Sequence, residues 1–296
     1  MSCQTHIIVG PGALGRLLAV SLADQVAVTL LGRRPPPSTL TLTTPEGEQR
    51  TRHITALTAN DLAPKLASVV HVTTKAYAVE SAFSAIADRL ALETPLIMWQ
   101  NGYGVQETLT QRWSGPVLCA TTTEGAYIHG DDNVVHAGHG NTALGHLESR
   151  HGDLAALLAS TLSAAGLPTT PVDDIRIRLW HKLAINAAIN PLVARFRIRN
   201  GQLRDRPFRP MVETVITEVA TIMAAERIPK PSEGWHGLVW SVIEGTANNR
   251  ASMLQDVLAG RPTEHDAILG PLLSTATRHA LPCPTLQALY DVLNVR

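Results

Sequence analysis

Short, nearly unbroken apolar runs alternate with stretches of helical periodicity through the first half of the chain. His6-Ile7-Ile8-Val9 predicts a buried strand, followed by a glycine turn, a helix over about 13–23 and a second strand over 26–31. A strand over 69–73, a helix over about 79–90 and a strand over 95–99 follow in the same style. Strands that are apolar on both faces and separated by helices predict a mostly parallel sheet covered on both sides. The segment 40–57 alternates more strictly and contains Pro45-Glu46-Gly47, which predicts a hairpin inserted into that sheet. Between 117 and 145, threonine, glycine and histidine outnumber helix formers, so further strands and turns are expected.

After about Pro171 the texture changes. Segments 175–189, 209–226, 235–258 and 263–279 carry apolar residues at helical spacing, with Met211, Val215, Val219 and Ile222 forming one stripe. The pattern predicts a doubly wound α/β domain over 1–170 and an all-α domain over 171–296.

Composition narrows the function classes. With 296 residues the chain is long enough for two cores, and Lys plus Arg balance Asp plus Glu at 25 each. That neutrality does not suit a nucleic-acid footprint, which needs clustered basic surface. No apolar run reaches the length of a membrane span, and the first residues enter a strand at once, unlike a secretory leader. Cys3, Cys119 and Cys283 are odd in number and far apart, so free thiols in a reducing, cytoplasmic setting are expected.

Gly10-Pro11-Gly12-Ala13-Leu14-Gly15 is a GxGxxG sequence that directly follows a predicted strand and opens a predicted helix. That context points to a dinucleotide: Gly10 permits the turn, Gly12 lets backbone approach a pyrophosphate, and Gly15 allows close helix–strand packing. The helix start offers its free N–H groups to phosphate. A plain strand-to-helix turn is the alternative. At the end of the second strand stand Gly32-Arg33-Arg34 and no carboxylate. NAD sites usually place Asp or Glu there, whereas guanidinium groups suit a 2′-phosphate, so NADP is expected, with Arg33 the first choice and Arg34 the reserve. A solvated basic pair would look the same in sequence.

Lys182, Asn186 and Asn190 recur at intervals of four and share one face of an otherwise apolar helix. An ammonium and two amides in line on such a helix cost several kcal/mol unless each finds a partner, and a bound oxyanion or hydroxyl would supply them. The plainer alternative is that the asparagines bond nearby backbone while Lys182 snorkels to water. Pro191 is expected to stop or kink the helix. Further on, Thr263 is placed to cap the next helix, with Glu264 in its first turn.

Taken in order, Gly10–Gly15, Thr74-Lys75-Ala76-Tyr77, Gln100-Asn101-Gly102, Lys182-Leu183-Ala184-Ile185-Asn186, Asn190-Pro191-Leu192, Asn200-Gly201-Gln202-Leu203, Ser252-Met253-Leu254-Gln255-Asp256 and Thr263-Glu264 span nearly the whole chain. In these segments the sequence resembles the ketopantoate reductases (2-dehydropantoate 2-reductases). The resemblance implies a Rossmann domain followed by a helical domain, and NADPH-dependent reduction of ketopantoate to pantoate in pantothenate and coenzyme A biosynthesis. It implies that Lys182 protonates the oxygen of the reduced carbonyl and that Glu264 serves lysine and cofactor. Asn101, Asn186, Asn190, Asn200 and Ser252 fall on substrate-contacting positions. The glycine loop with its Pro11, Ala13 and Leu14, together with Arg33, Lys75, Asn101, Ala126 and Glu264, falls on cofactor-contacting positions. Glu124-Gly125 departs from some relatives beside Ala126. The implied partner is a small 2-keto acid, with no nucleic acid or membrane, and a homodimer is compatible.

Two rivals stay open: a reductase of the same architecture acting on another branched 2-keto acid, and an NADP-binding sensor without turnover. His136, His139, His146 and His151 crowd one region, but their spacing fits no standard zinc pattern, so turn and strand-surface roles are expected. His181 points to another helix face than Lys182, and Trp180, Trp235 and Trp240 read as core.

Overall fold

A computed structural model describes residues 4–294. The chain forms two compact units: the described residues up to Gln100 with Val105–Arg176, and Asn101–Gly104 with the described residues from Ile177 onward. The four residues Asn101–Gly104 thus group with the helical part, although they sit in the middle of the α/β sequence.

In the first unit the elements run β1 (Thr5–Val9), α1 (Ala13–Leu22), β2 (Ala27–Gly32), β3 (Thr39–Thr43), β4 (Gln49–His53), β5 (Thr55–Thr58), β6 (Val69–Val72), α2 (Val79–Ser84) and β7 (Leu96–Met98). They continue with α3 (Val105–Arg112), β8 (Val117–Thr122), β9 (Gly125–His129), β10 (Asn133–Gly138), β11 (Thr142–His146), α4 (Gly152–Ala164) and β12 (Thr169–Pro171). The large sheet has the order β12-β11-β8-β7-β6-β1-β2-β5. From β5 to β8 every pairing is parallel, which is the doubly wound dinucleotide-binding order. Its central strands are apolar on both faces because both faces are covered: Ile7, Ile8, Leu30, Val70, Val72, Leu96 and Ile97 are fully buried.

The hairpin expected over 40–57 forms, with β3 antiparallel to β4 from Thr39 opposite His53 to Thr43 opposite Gln49. It does not enter the main sheet. It builds a second sheet, ordered β4-β3-β10-β9, in which β3 lies parallel to β10. Only β5 joins the main sheet, at its edge beyond β2. Period-two alternation states that one face is buried without stating which strand is the neighbour, so the hairpin was legible and its host was not.

A polar thread runs through this core. Trp99 Nε1 donates to His71 Nδ1 at 3.2 Å, and His71 Nε2 lies 3.0 Å from His6 Nδ1. Since the indole can only donate, His71 must carry its proton on Nε2 and donate that N–H to His6 Nδ1. Both rings are shut off from water and are held neutral by burial, His6 drawn down to about 4 and His71 well below its ordinary value.

The helical unit comprises α5 (Ile175–Phe196), which begins two residues before it, then α6 (Arg209–Ala225), α7 (Gly234–Gly245), α8 (Ser252–Leu258), α9 (His265–Arg278) and α10 (Pro284–Asn294). Pro191 does not end α5, which continues to Phe196. Leu192, Val193 and Ala194 beyond the proline are wholly buried. Burying the two larger side chains is worth roughly 2 kcal/mol each, enough to offset the ~3 kcal/mol cost of a helical proline. The stretch 235–258 divides into α7 and α8, separated by residues 246–251, where Thr246 and the asparagines stop the helix. Glu264 rather than Thr263 takes the cap position of α9, and the Thr263 hydroxyl turns instead to His265 Nδ1 at 2.9 Å. Among the described residues no helix is long and apolar enough to cross a membrane.

Candidate active site

The glycine loop links β1 to α1. Gly10 has φ +117, and a Cβ there would lie 2.8 Å from Thr74 N, so only glycine fits. At Gly15 a Cβ would lie 2.0 Å from the Gly10 carbonyl oxygen, which enforces the close helix–strand contact. Gly12 differs. Its φ is −74 and a Cβ would meet nothing within 4 Å, so neither backbone nor packing requires glycine at this position. What remains is the approach of something external to the loop, as a diphosphate needs. Gly12 caps α1 with no side-chain hydrogen bond, which leaves the first N–H groups of the helix for that ligand. The loop therefore fits a dinucleotide.

Two residues that the sequence did not single out hold this loop. Thr73 Oγ1 donates to the Gly10 carbonyl at 2.8 Å from the end of β6. Arg16, buried on α1, donates from Nε to the Pro11 carbonyl at 3.0 Å and from a terminal N–H to the Asp131 carbonyl. A lone arginine in an apolar helix, four residues past Gly12, was the signal available for it. Pro11, Ala13 and Leu14 complete the loop and the first turn of α1.

Arg33 and Arg34 follow β2 directly and are exposed, and neither contacts a carboxylate among the described residues. Lys75, half-buried, precedes a short 3-10 turn after β6. Ala126 lies on β9 opposite His136 and packs against the core. Glu124, the departure noted beside it, is anchored: its Oε2 lies 2.6 Å from His136 Nε2 and accepts the Gly140 N–H at 2.9 Å. The other crowded histidines have ordinary neighbours. His139 meets Glu46 at 2.7 Å, and His146 packs edge-on against His151.

In the helical unit, α5 carries Lys182, Asn186 and Asn190 along one face, the first two half-buried and the last buried. Burial draws the Lys182 ammonium down to about 8, and the negative charge of Glu264 opposes that shift. Glu264, 5% exposed at the cap of α9, accepts a long 3.5 Å contact from Asn101 Nδ2. The Asn101–Gly104 segment is pinned to α9 by the Tyr103 N–H, which donates to the Ala267 carbonyl at 2.9 Å. It is pinned also by Gly102, where a Cβ would lie 2.2 Å from that same oxygen. Asn101, Lys182 and Glu264, distant in sequence, thus share one unit with linked positions.

Asn200 is buried, and its Nδ2 donates to Thr246 Oγ1 at 2.9 Å while its Oδ1 has no partner. Ser252 opens α8 and is exposed. His181 is structural: its Nε2 meets the Pro229 carbonyl at 2.8 Å and its ring packs edge-on to Trp235. Trp180 and Trp235 are buried, and Trp240 donates to Glu213 Oε1 at 3.0 Å. Cys119 and Cys283 are free thiols, while Cys3 lies outside the described residues.

The family described as ketopantoate reductase PanE/ApbA matches residues 6–149, and its C-terminal counterpart matches residues 174–296. The chain belongs to the ketopantoate reductase family. Within it, a 2-dehydropantoate 2-reductase of Vibrio cholerae serotype O1 is 35% identical over 289 residues, spanning 96% of this chain and 95% of its own. Two solved structures share the fold. One is a 2-dehydropantoate 2-reductase from Geobacter metallireducens GS-15, with TM-score 0.89 and 24% identity over 98% of this chain and 99% of that one. The other is a D-mandelate dehydrogenase with NADH and anilino(oxo)acetate, with TM-score 0.88 and 20% identity over 99% and 97%.

Proposed function

We propose that this member of the ketopantoate reductase family reduces 2-dehydropantoate to pantoate with NADPH. The observation that carries the reading is the polar line of Lys182, Asn186 and Asn190 on a helix otherwise given over to core, with a buried carboxylate tuning the lysine. When bound, NADPH supplies the hydride that the C2 carbonyl carbon accepts. Gly10, Gly12, Gly15 and the free N–H groups of α1 hold its diphosphate, Arg33 or Arg34 grips the 2′-phosphate, and Lys75, Asn101 and Ala126 bound the remainder.

Lys182 Nζ donates a hydrogen bond to the substrate carbonyl oxygen, stabilises the charge that grows there, and then gives up a proton to it. With its proton affinity drawn to about 8, the lysine stays protonated at neutral pH yet releases its proton more readily than an exposed lysine would. Glu264 keeps the ammonium charged, and Asn101 steadies Glu264. Asn186, Asn190, Asn200 and Ser252 take the carboxylate and hydroxyl of the substrate and fix its carbonyl for attack. The unpartnered Asn200 Oδ1 supplies an acceptor for a hydroxyl. Sites built around a hydroxyl reject analogues that lack it, which favours ketopantoate over plain 2-keto acids. A homodimer is part of this proposal.

The test is NADPH oxidation followed with purified ketopantoate, pyruvate and a panel of branched 2-keto acids. Ketopantoate should exceed pyruvate in kcat/KM by about a hundredfold or more. Equal turnover of another branched keto acid would move the substrate assignment. Tight NADPH binding with no turnover on any member would point to a sensor.

A further inference from the structure

The proposed reaction leaves unused a basic cavity at the C-terminal end of α5. The helix closes with Arg197 in the left-handed region at φ 55, and the Ile198 N–H returns to the Val193 carbonyl at 3.2 Å. Next to this cap lies a cavity of about 290 Å³, with Arg197, Arg199 and Arg250 among its walls and Ile198, Leu254 and Leu258 as its apolar part.

What marks this cavity is three arginines in one wall with no acidic residue among its lining. Several arginines of the chain meet carboxylates, among them Arg52 with Asp24, Arg112 with Glu80, Arg261 with Asp256 and Arg278 with Glu226. Among the described residues none of the three cavity arginines does so. Arg199 is oriented by donating from a terminal N–H to the Asn248 carbonyl at 3.1 Å, a contact that leaves its charge unopposed. The three arginines are exposed, and each carries a planar guanidinium fork that matches phosphate oxygens, so an anion seated here would meet positive charge from more than one side chain. Leu254 is buried while Leu258 is 51% exposed, so the apolar wall extends from the interior to the rim.

We propose that this cavity binds a small polyanion, a phosphate or diphosphate group carried beside a short apolar segment. A singly charged 2-keto acid does not balance three guanidinium groups, so this ligand is distinct from the reduced substrate.

Inorganic pyrophosphate is the probe, titrated calorimetrically into the full-length protein with and without saturating NADP⁺, against potassium chloride of matched ionic strength. One binding event per chain that survives NADP⁺ is expected. Arg197→Gly and Arg250→Gln should each weaken it about tenfold. Glycine is at ease in the left-handed position, so Arg197→Gly should keep or raise Tm, and its basal kcat with keto acid should be unchanged. Loss in one variant alone upholds the site with that arginine as the contact. Wild-type protein indistinguishable from the chloride control, or affinity kept within threefold in both variants, overturns the proposal.

Discussion

Glu264, shut away from solvent at the cap of α9, holds the Lys182 ammonium up against the burial that draws it down to about 8. The two effects oppose each other, and removing either moves the lysine predictably. If Lys182 gives its proton to the nascent alkoxide, kcat should fall as pH rises through about 8, because the ammonium is the active form. In Glu264→Gln the opposing charge is gone and that limb should shift to lower pH. Lys182→Ala should lower kcat by roughly 10²–10⁴ while NADPH binding, followed by fluorescence, stays near normal. An alkaline limb that ignores Glu264→Gln would remove the carboxylate from this role.

The glycine loop separates folding from binding residue by residue. Gly12→Ala should leave Tm within about a degree of wild type, because a Cβ there meets nothing within 4 Å. Its NADPH affinity should nevertheless drop by at least about tenfold, since the methyl occupies the diphosphate's approach. Gly15→Ala should instead fail to fold properly, since its Cβ would sit 2.0 Å from a carbonyl oxygen. Thermal melts paired with NADPH titration distinguish the two, and a Gly12→Ala protein with undiminished affinity would count against the loop as the diphosphate site.

On the proposed reading, cofactor choice rests on the end of β2. Arg33→Ala should raise KM for NADPH by about ten- to a hundredfold, in line with loss of a charge-assisted bidentate contact, and should leave KM for NADH nearly unmoved. Arg34→Ala should show the smaller effect. Steady-state kinetics with both nucleotides ranks the two arginines, and equal losses for NADPH and NADH would deny either a 2′-phosphate contact.

Acid should weaken the first unit through its buried histidines. The folded state keeps His6 neutral down to about 4, while the unfolded chain takes a proton near 6.5. Between these values the unfolded state binds more protons, so stability falls as pH drops from 6.5 toward 4, by up to about 1.4 kcal/mol per pH unit per histidine. His71 adds to the loss in the same direction. Denaturant melts across this range should show the slope, and His6→Leu should make it shallower. A flat profile would mean that the pair is already protonated or exposed in the folded protein.

What the sequence disclosed divides along physical lines. The early strands and their parallel sheet, the glycine loop and the line from Lys182 to Asn190 were readable because each rests on local periodicity or on a short motif. The passage of α5 through Pro191 was not, because it depends on burial of Leu192 and Val193 by distant residues. Neither was the grouping of Asn101–Gly104 with the helical unit, which rests on Tyr103 and Gly102 meeting Ala267. Arg16 escaped notice for the same reason, since its partners are backbone carbonyls that no composition reveals. Helices α4 and α10 lay in segments where no functional residue drew attention. At the start of α10, Glu218 from α6 takes the Thr285 and Leu286 N–H groups at 2.9 Å each, a cap supplied from afar.

The second sheet sets a condition on synthesis. Thr43 and Asn133, hydrogen-bonded across β3 and β10, are 90 positions apart. At typical elongation speeds a ribosome needs on the order of ten seconds to cover that interval. For that time the edge of β3 that later pairs with β10 stays open, with only β4 beside it in that sheet. A nascent chain stalled before β10 should therefore be the form most exposed to chaperones and to aggregation.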